Sequence, residues 1–160
     1  MRFSARLQFW FFQHYWWVLP LLLLSTLALL LWRNEPVTTV ATVSGVLLSL
    51  FYFVQKQKLE ELRLFRELFK EFNERYDGMN EKLAHIIESK ESNVSAYERE
   101  TLIDYFNLCG EEYLYVQLGY IHPEVWSAWY SGMKAIVAVP RVQCVWLAEK
   151  ETESYYGLPL

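Results

Sequence analysis

Residues 15–54 read YWWVLPLLLLSTLALLLWRNEPVTTVATVSGVLLSLFYFV, and this stretch decides the fold. Residues 15–32 hold 18 positions without a charge, and residues 36–54 hold 19 more. A helix rises about 1.5 Å per residue, so each run approaches the roughly 30 Å of a bilayer's hydrocarbon. Only Arg33, Asn34 and Glu35 lie between the runs. So short a link predicts an antiparallel helical hairpin, with Pro36 in the first turn of the second helix, where its missing N–H costs nothing. Pro20 is expected near the entrance of the first span.

Cations set the orientation. Arg2 and Arg6 precede the first span, Lys56, Lys58, Arg63 and Arg66 follow the second, and Glu35 offsets the single Arg33 of the link. The positive-inside rule then places both termini in the cytoplasm of a multi-pass inner-membrane protein. Trp16, Trp17 and Trp32 bracket the first span as interfacial aromatics, and Lys56 and Lys58 anchor the end of the second. Residues 1–14, aromatic and weakly basic, are expected to lie along the interface, with His14 as an interfacial polar residue. A cleaved signal peptide fits less well, because the apolar run is long, no A-x-A site follows, and a second span comes at once.

Ala41, Gly45 and Ser49 recur every four residues along one face of the second span, a pattern that lets helices approach closely. Two uses stand open: packing against the first span, or association with another copy. Thr38, Thr39, Thr42 and Ser44 make this span less aliphatic than the first. Their hydroxyls either satisfy backbone carbonyls or line a polar path in an assembly.

The two parts of the chain differ in charge. Residues 1–54 carry three arginines against one glutamate, a net charge of +2, whereas residues 55–160 carry 12 Lys/Arg against 18 Asp/Glu, a net charge of −6. An acidic domain is not expected to bind nucleic acid directly, since that takes clustered cations. Cys109 and Cys144 are the only cysteines and fall outside metal-ligand spacings, so free thiols in a reducing compartment are expected. No cofactor is implied.

Residues 55–160 read as a small cytoplasmic helical bundle, which makes the whole an all-α membrane protein. Leu62, Phe65, Phe69, Phe72, Tyr76, Met79, Leu83 and Ile86 alternate at spacings of three and four, a helical stripe. It suits packing inside a bundle better than a coiled coil, since its members are mostly Phe. His85 lies beside it, and Asp77-Gly78 marks a candidate break. Ser95 with Glu98 forms a capping box opening the next helix, Gly119 a C-terminal cap, and His122-Pro123-Glu124 another start. Trp126, Trp129 and Tyr130 are expected as exposed aromatics able to recruit a partner. Pro140 separates a last helix, 142–150, from an aromatic tail at Tyr155 and Tyr156.

The stretch YFNLCGEEYLY, 105–115, resembles an active site. Yet Cys109 falls on the apolar stripe Leu102, Phe106, Cys109, Tyr113 and Val116, where desolvation raises a thiol's pKa and blunts it as a nucleophile. Glu111 shares a solvated face with Asp104 and Asn107. Glu112 sits on the boundary and, if buried, needs a partner such as Arg75, Lys134 or Arg141. No P-loop, GxSxG or HExxH motif occurs, so no catalytic set is assigned and the chain is not read as an enzyme.

Three segments carry a family resemblance: LFRELFKEFNERYDGMN, DYFNLCGEEYLYVQLGYI and HPEVWSAWYSGM. Spanning residues 65–133, they resemble small bacterial two-helix membrane effectors of phage-defence systems, including those encoded beside retron reverse transcriptases. The resemblance implies an abortive-infection effector of the inner membrane, held silent until infection, whose release damages the membrane. It also implies self-association and a protein or ribonucleoprotein partner of the same system, the reverse-transcriptase complex in a retron. Tyr105, Phe106, Asn107, Cys109, Glu112, Tyr113, Trp126, Trp129, Gly132 and Met133 form its signature, as core or as partner-binding residues. The competing function is a non-toxic membrane tether that recruits a cytoplasmic partner.

Overall fold

The computed structural model describes residues 3–91 and 93–160, with side chains from His14 onward apart from residue 92. Five helices account for the fold: α1 (Phe3–Trp32), α2 (Val37–Glu88), α3 (Ala96–Leu118), α4 (Pro123–Val137) and α5 (Pro140–Lys150). No strand occurs among the described residues. The chain divides into two compact units, Phe3–Leu64 and Phe65–Leu160.

In the first unit, α1 and the start of α2 form a hairpin. The link closes by a Schellman arrangement: the Glu35 N–H donates to the Leu30 carbonyl and the Asn34 N–H to Leu31, each at 3.1 Å, with Asn34 in the left-handed region at φ 53°. Asparagine is among the few non-glycine residues that adopt this conformation readily. At the far end, the Phe51 ring lies 6.4 Å from Tyr15 and 6.2 Å from Trp16, and the Lys58 ammonium sits 4.8 Å above the Tyr15 ring. Because α1 begins at Phe3, Pro20 lies in its interior rather than at its entrance, and the Trp16 carbonyl loses its i+4 donor. The amphipathic character expected of residues 1–14 falls, except at His14, outside the described side chains.

Both hairpin helices are long and apolar enough to cross a membrane. Their large apolar side chains point outward; Leu24 is 62% exposed and Trp32 82%. A row of such side chains is foreign to a water-facing surface.

The second unit is a helical bundle built on α3. One core cluster joins Leu83 and Ile86 of α2, Leu102 and Phe106 of α3, and Val142 and Trp146 of α5. Another joins Leu68 and Phe72 of α2 to Leu108 and Val116 of α3 and to Ile121. Both α2 and α3 contribute residues to the two clusters. The ends of α3 follow the local chemistry of the sequence. Ser95 and Glu98 exchange capping-box hydrogen bonds, and Gly119 closes the helix at φ 86° with its N–H on the Val116 carbonyl. His122 caps α4 through Nδ1, which accepts the Glu124 N–H at 3.4 Å.

Three expectations change. First, α2 runs through Asp77 and Gly78 without a break, since a helix held by neighbours outweighs the roughly 1 kcal/mol helix penalty of glycine. Second, the buried stripe passes through Leu68 rather than Phe69, and Leu62 is exposed. Third, Pro140 starts α5 instead of preceding it, a position that suits its fixed φ.

The tail after α5 folds back on the bundle. Tyr155 and Leu158 are buried, the Tyr130 hydroxyl donates to the Pro159 carbonyl at 2.6 Å, and Gln117 Nε2 donates to the Tyr156 carbonyl at 3.1 Å. The tail comes close to α3 at Gly110, where a Cβ would lie 3.4 Å from the Tyr155 Cα, in ordinary contact.

Candidate functional site

Burial in the bundle is uneven for polar groups, as Arg141, Arg75 and Glu112 show. Arg141 is buried, and its guanidinium donates to the carbonyls of Ile86 (3.0 Å) and Asn93 (2.8 Å) and to both carboxylate oxygens of Glu98 (3.1 Å). It ties the end of α2 to the start of α3. Glu98 is held below the usual carboxylate range, first by the Ser95 N–H, then by the Ser95 hydroxyl and Arg141. Arg75 forks onto Glu111 at 2.5 and 3.1 Å, a bidentate geometry. Glu111 is therefore ion-paired and half-buried rather than freely solvated.

Glu112 is different. It is 7% exposed, and no hydrogen bond reaches its carboxyl among the described residues. Arg141 is committed to Glu98, and Lys134 lies 4.8 Å over the Tyr130 ring. Arg75 acts on Glu112 only through space. Burial raises the Glu112 pKa to about 8, opposed by the charge of Arg75 and assisted by that of Glu111. The group is mostly a neutral acid at pH 7.

The Glu112 side chain lines a cavity of about 220 Å³ between α2, α3 and α4. Aromatic rings form much of its wall: Phe72 and Tyr76 from α2, Tyr105 from α3 and Trp129 from α4. Phe72 meets Trp129 edge to face at 6.0 Å, and Tyr76 meets Tyr105 at 6.3 Å. Cys109 and Met133 complete the floor as buried residues, while Ala128 and Gly132 stand exposed at the rim. Burial pushes the Cys109 thiol well above its ordinary range, and the Glu112 charge adds to that, which leaves a poor nucleophile. Tyr105 is likewise pushed up, mainly by burial.

The remaining signature residues divide between core and surface. Phe106 is fully buried, Tyr113 is partly buried, and Asn107 faces an acidic cleft beside Asp104 and Glu111. Trp126 stacks on Tyr130 at 5.4 Å and packs on Tyr113 at 5.5 Å, while Trp129 stacks on Phe69 at 5.7 Å. These aromatics are partly buried rather than exposed as the sequence suggested. In the hairpin, Ala41, Gly45 and Ser49 are all exposed, and a Cβ at Gly45 would meet nothing within 4 Å. The small-residue row therefore faces away from α1. The Thr42 and Ser44 hydroxyls donate to the carbonyls of Thr38 (2.8 Å) and Val40 (2.6 Å) of their own helix. Trp16, Trp17, Trp32 and Lys56 are exposed. Cys109 and Cys144 are both free thiols, the first buried and the second exposed. No group of three His, Cys, Asp or Glu able to hold a metal occurs among the described residues.

Sequence reasoning missed the cavity, because its wall draws on three helices. The signal within reach was Glu112 itself, one acid flanked at helical spacing by Tyr105, Leu108 and Cys109.

Fold and site together define an all-helical chain with two long apolar helices and a bundle in which a buried acid, Glu112, has no ion-pair partner among the described residues. No protein-family model, curated protein or solved structure matches the chain. The phage-defence resemblance is therefore an expectation from three sequence motifs alone.

Proposed function

We propose that the chain is a bacterial inner-membrane protein with two spans and both termini in the cytoplasm, and that it is the membrane effector of an anti-phage system. The bundle at 65–160 receives the signal from a protein or ribonucleoprotein partner, and the hairpins then associate and permeabilise the membrane. One observation carries the reading: the hairpin keeps its apolar side chains outward along both helices, so lipid is the surrounding that suits it. The outward row of Ala41, Gly45 and Ser49 supports self-association, since it is free for a second copy.

The membrane reading has a direct test. Cys144 is exposed and Cys109 buried, so a membrane-impermeant maleimide should leave intact spheroplasts unlabelled and label Cys144 after lysis. Labelling before lysis reverses the orientation. For the effector reading, induction without its partners should depolarise cells, followed with a potential-sensitive dye. Normal potential and growth in every activating context, phage challenge included, discards it.

A tether that recruits a cytoplasmic partner is the second reading. It is favoured by the hydroxyls of Thr42 and Ser44, which are spent on their own helix and offer no polar path in a single hairpin. Partner capture with membrane potential unchanged would select it.

A further inference from the structure

We propose that the cavity between α2, α3 and α4 binds a small organic ammonium ion, held by the Glu112 carboxylate and the rings of Tyr76, Tyr105 and Trp129.

A buried carboxyl with no hydrogen-bond partner is costly to a fold and is uncommon without a purpose. Glu112 is a buried residue whose carboxyl takes no hydrogen bond from the described residues, and its oxygens keep some accessible surface, so it lines a cavity rather than packed core. The wall supplies no cation: its residues are aromatic or aliphatic apart from Asn73, Cys109 and Glu112. When Glu112 ionises, the wall gives it no counter-charge, and a cationic occupant would supply one. Aromatic faces attract cations and are best suited to alkylated ammonium groups, which shed water readily. At about 220 Å³ the cavity has room for a short-chain amine or a trimethylammonium group. Anions are disfavoured by Glu112 once it is ionised. The rim at Ala128 and Gly132 leaves an entrance, because neither carries a side chain beyond a methyl group.

The charged and titratable groups around Glu112 are few. Arg75 approaches from α2 but is engaged by Glu111, Tyr76 comes from the same helix, Tyr105 and Cys109 come from α3, and α4 contributes none to the wall. A cation entering the cavity must therefore displace the Glu112 proton. For a carboxyl titrating at about 8, affinity for a permanently charged ligand rises about 50-fold between pH 6 and pH 8.

The test uses the full chain in a maltoside micelle, with methionine methyls labelled with carbon-13. The chain has three methionines, and Met133 lies in the cavity wall. Choline is titrated against its uncharged isostere, 3,3-dimethylbutan-1-ol. The expected result is a saturable shift of the Met133 methyl by choline, with the alcohol at least about tenfold weaker and the preference growing with pH. Glu112→Gln should abolish the preference for the cation. Gly132→Leu should remove binding of both ligands, and its new side chain starts in open space, so the fold is retained. Equal shifts by choline and alcohol, an unchanged preference in Glu112→Gln, or no saturable shift at all would each overturn the proposal. None of these outcomes depends on whether the hairpin permeabilises membranes.

Discussion

The two units of this chain use apolar residues in opposite ways. In Phe3–Leu64 they line the outside of two helices, and polar hydroxyls turn back onto their own backbone. In Phe65–Leu160 apolar residues meet in the centre, and polar groups find partners from distant segments, as Arg141 does with Glu98. A hairpin of the first kind needs almost nothing from the rest of the chain, because each helix satisfies its own hydrogen bonds. The bundle is stable only as an ensemble of contacts between remote residues.

Substitutions should separate the two regimes. The largest effect is expected inside the bundle: Trp146→Ala removes a side chain 1% exposed and should cost about 4 kcal/mol in thermal or denaturant unfolding. Leu24→Ala, in the hairpin, should leave that transition within about 0.5 kcal/mol. Equal effects would erase the distinction.

Next comes Glu112. The folded chain keeps a proton there that the unfolded chain releases near the ordinary value of 4.5, so stability falls as the pH rises from 4.5 to about 8. Glu112→Gln removes this penalty. Its gain over the native chain should reach as much as about 4 kcal/mol at pH 8 and fade as the pH drops towards 4.5. A gain that is independent of pH would mean that the carboxyl is already ionised in the fold.

Arg141→Ala strands two carbonyls and Glu98, and it should cost about 3 kcal/mol by the same unfolding measurement. An exposed arginine with a surface partner, Arg63 beside Glu60, should cost less than about 1 kcal/mol when truncated. On the proposed membrane reading, Leu24→Lys in the hairpin should lower insertion by about 3 kcal/mol, read as the membrane-bound fraction, with the bundle's melt unmoved. The smallest effect is at Gly45. Gly45→Leu meets open space and should change the stability of one copy by no more than about 1 kcal/mol. On the proposed effector reading, toxicity should nevertheless drop in this variant if the row joins copies, and undiminished toxicity would remove Ala41, Gly45 and Ser49 from that proposal.

What the sequence made legible follows the same division. The two apolar runs, the Ser95 capping box, the Gly119 cap and the Pro123 start depend on residues within a few positions of each other, and the structure has each of them. Legibility stopped where partners lie far apart along the chain. Arg75 and Arg141 were both candidates for Glu112, yet they pair with Glu111 and Glu98, separated by 36 and 43 positions. Helical spacing alone did not decide between Phe69 and Leu68 for the buried stripe, because the choice depends on where α3 and α4 press against α2. The candidate site was legible as one ambiguous acid; its cavity became visible only with the three helices in place.

The return of the tail also has a consequence in time. Tyr155 and Leu158 belong to the same core as Leu83 and Phe106, so the bundle's interior stays open until those late residues have been synthesised. The hairpin is complete some hundred residues earlier along the chain. A ribosome building this protein delivers a finished apolar pair first and an unfinished domain behind it, and a translation pause or a nonsense codon before Tyr155 would leave the first without the second.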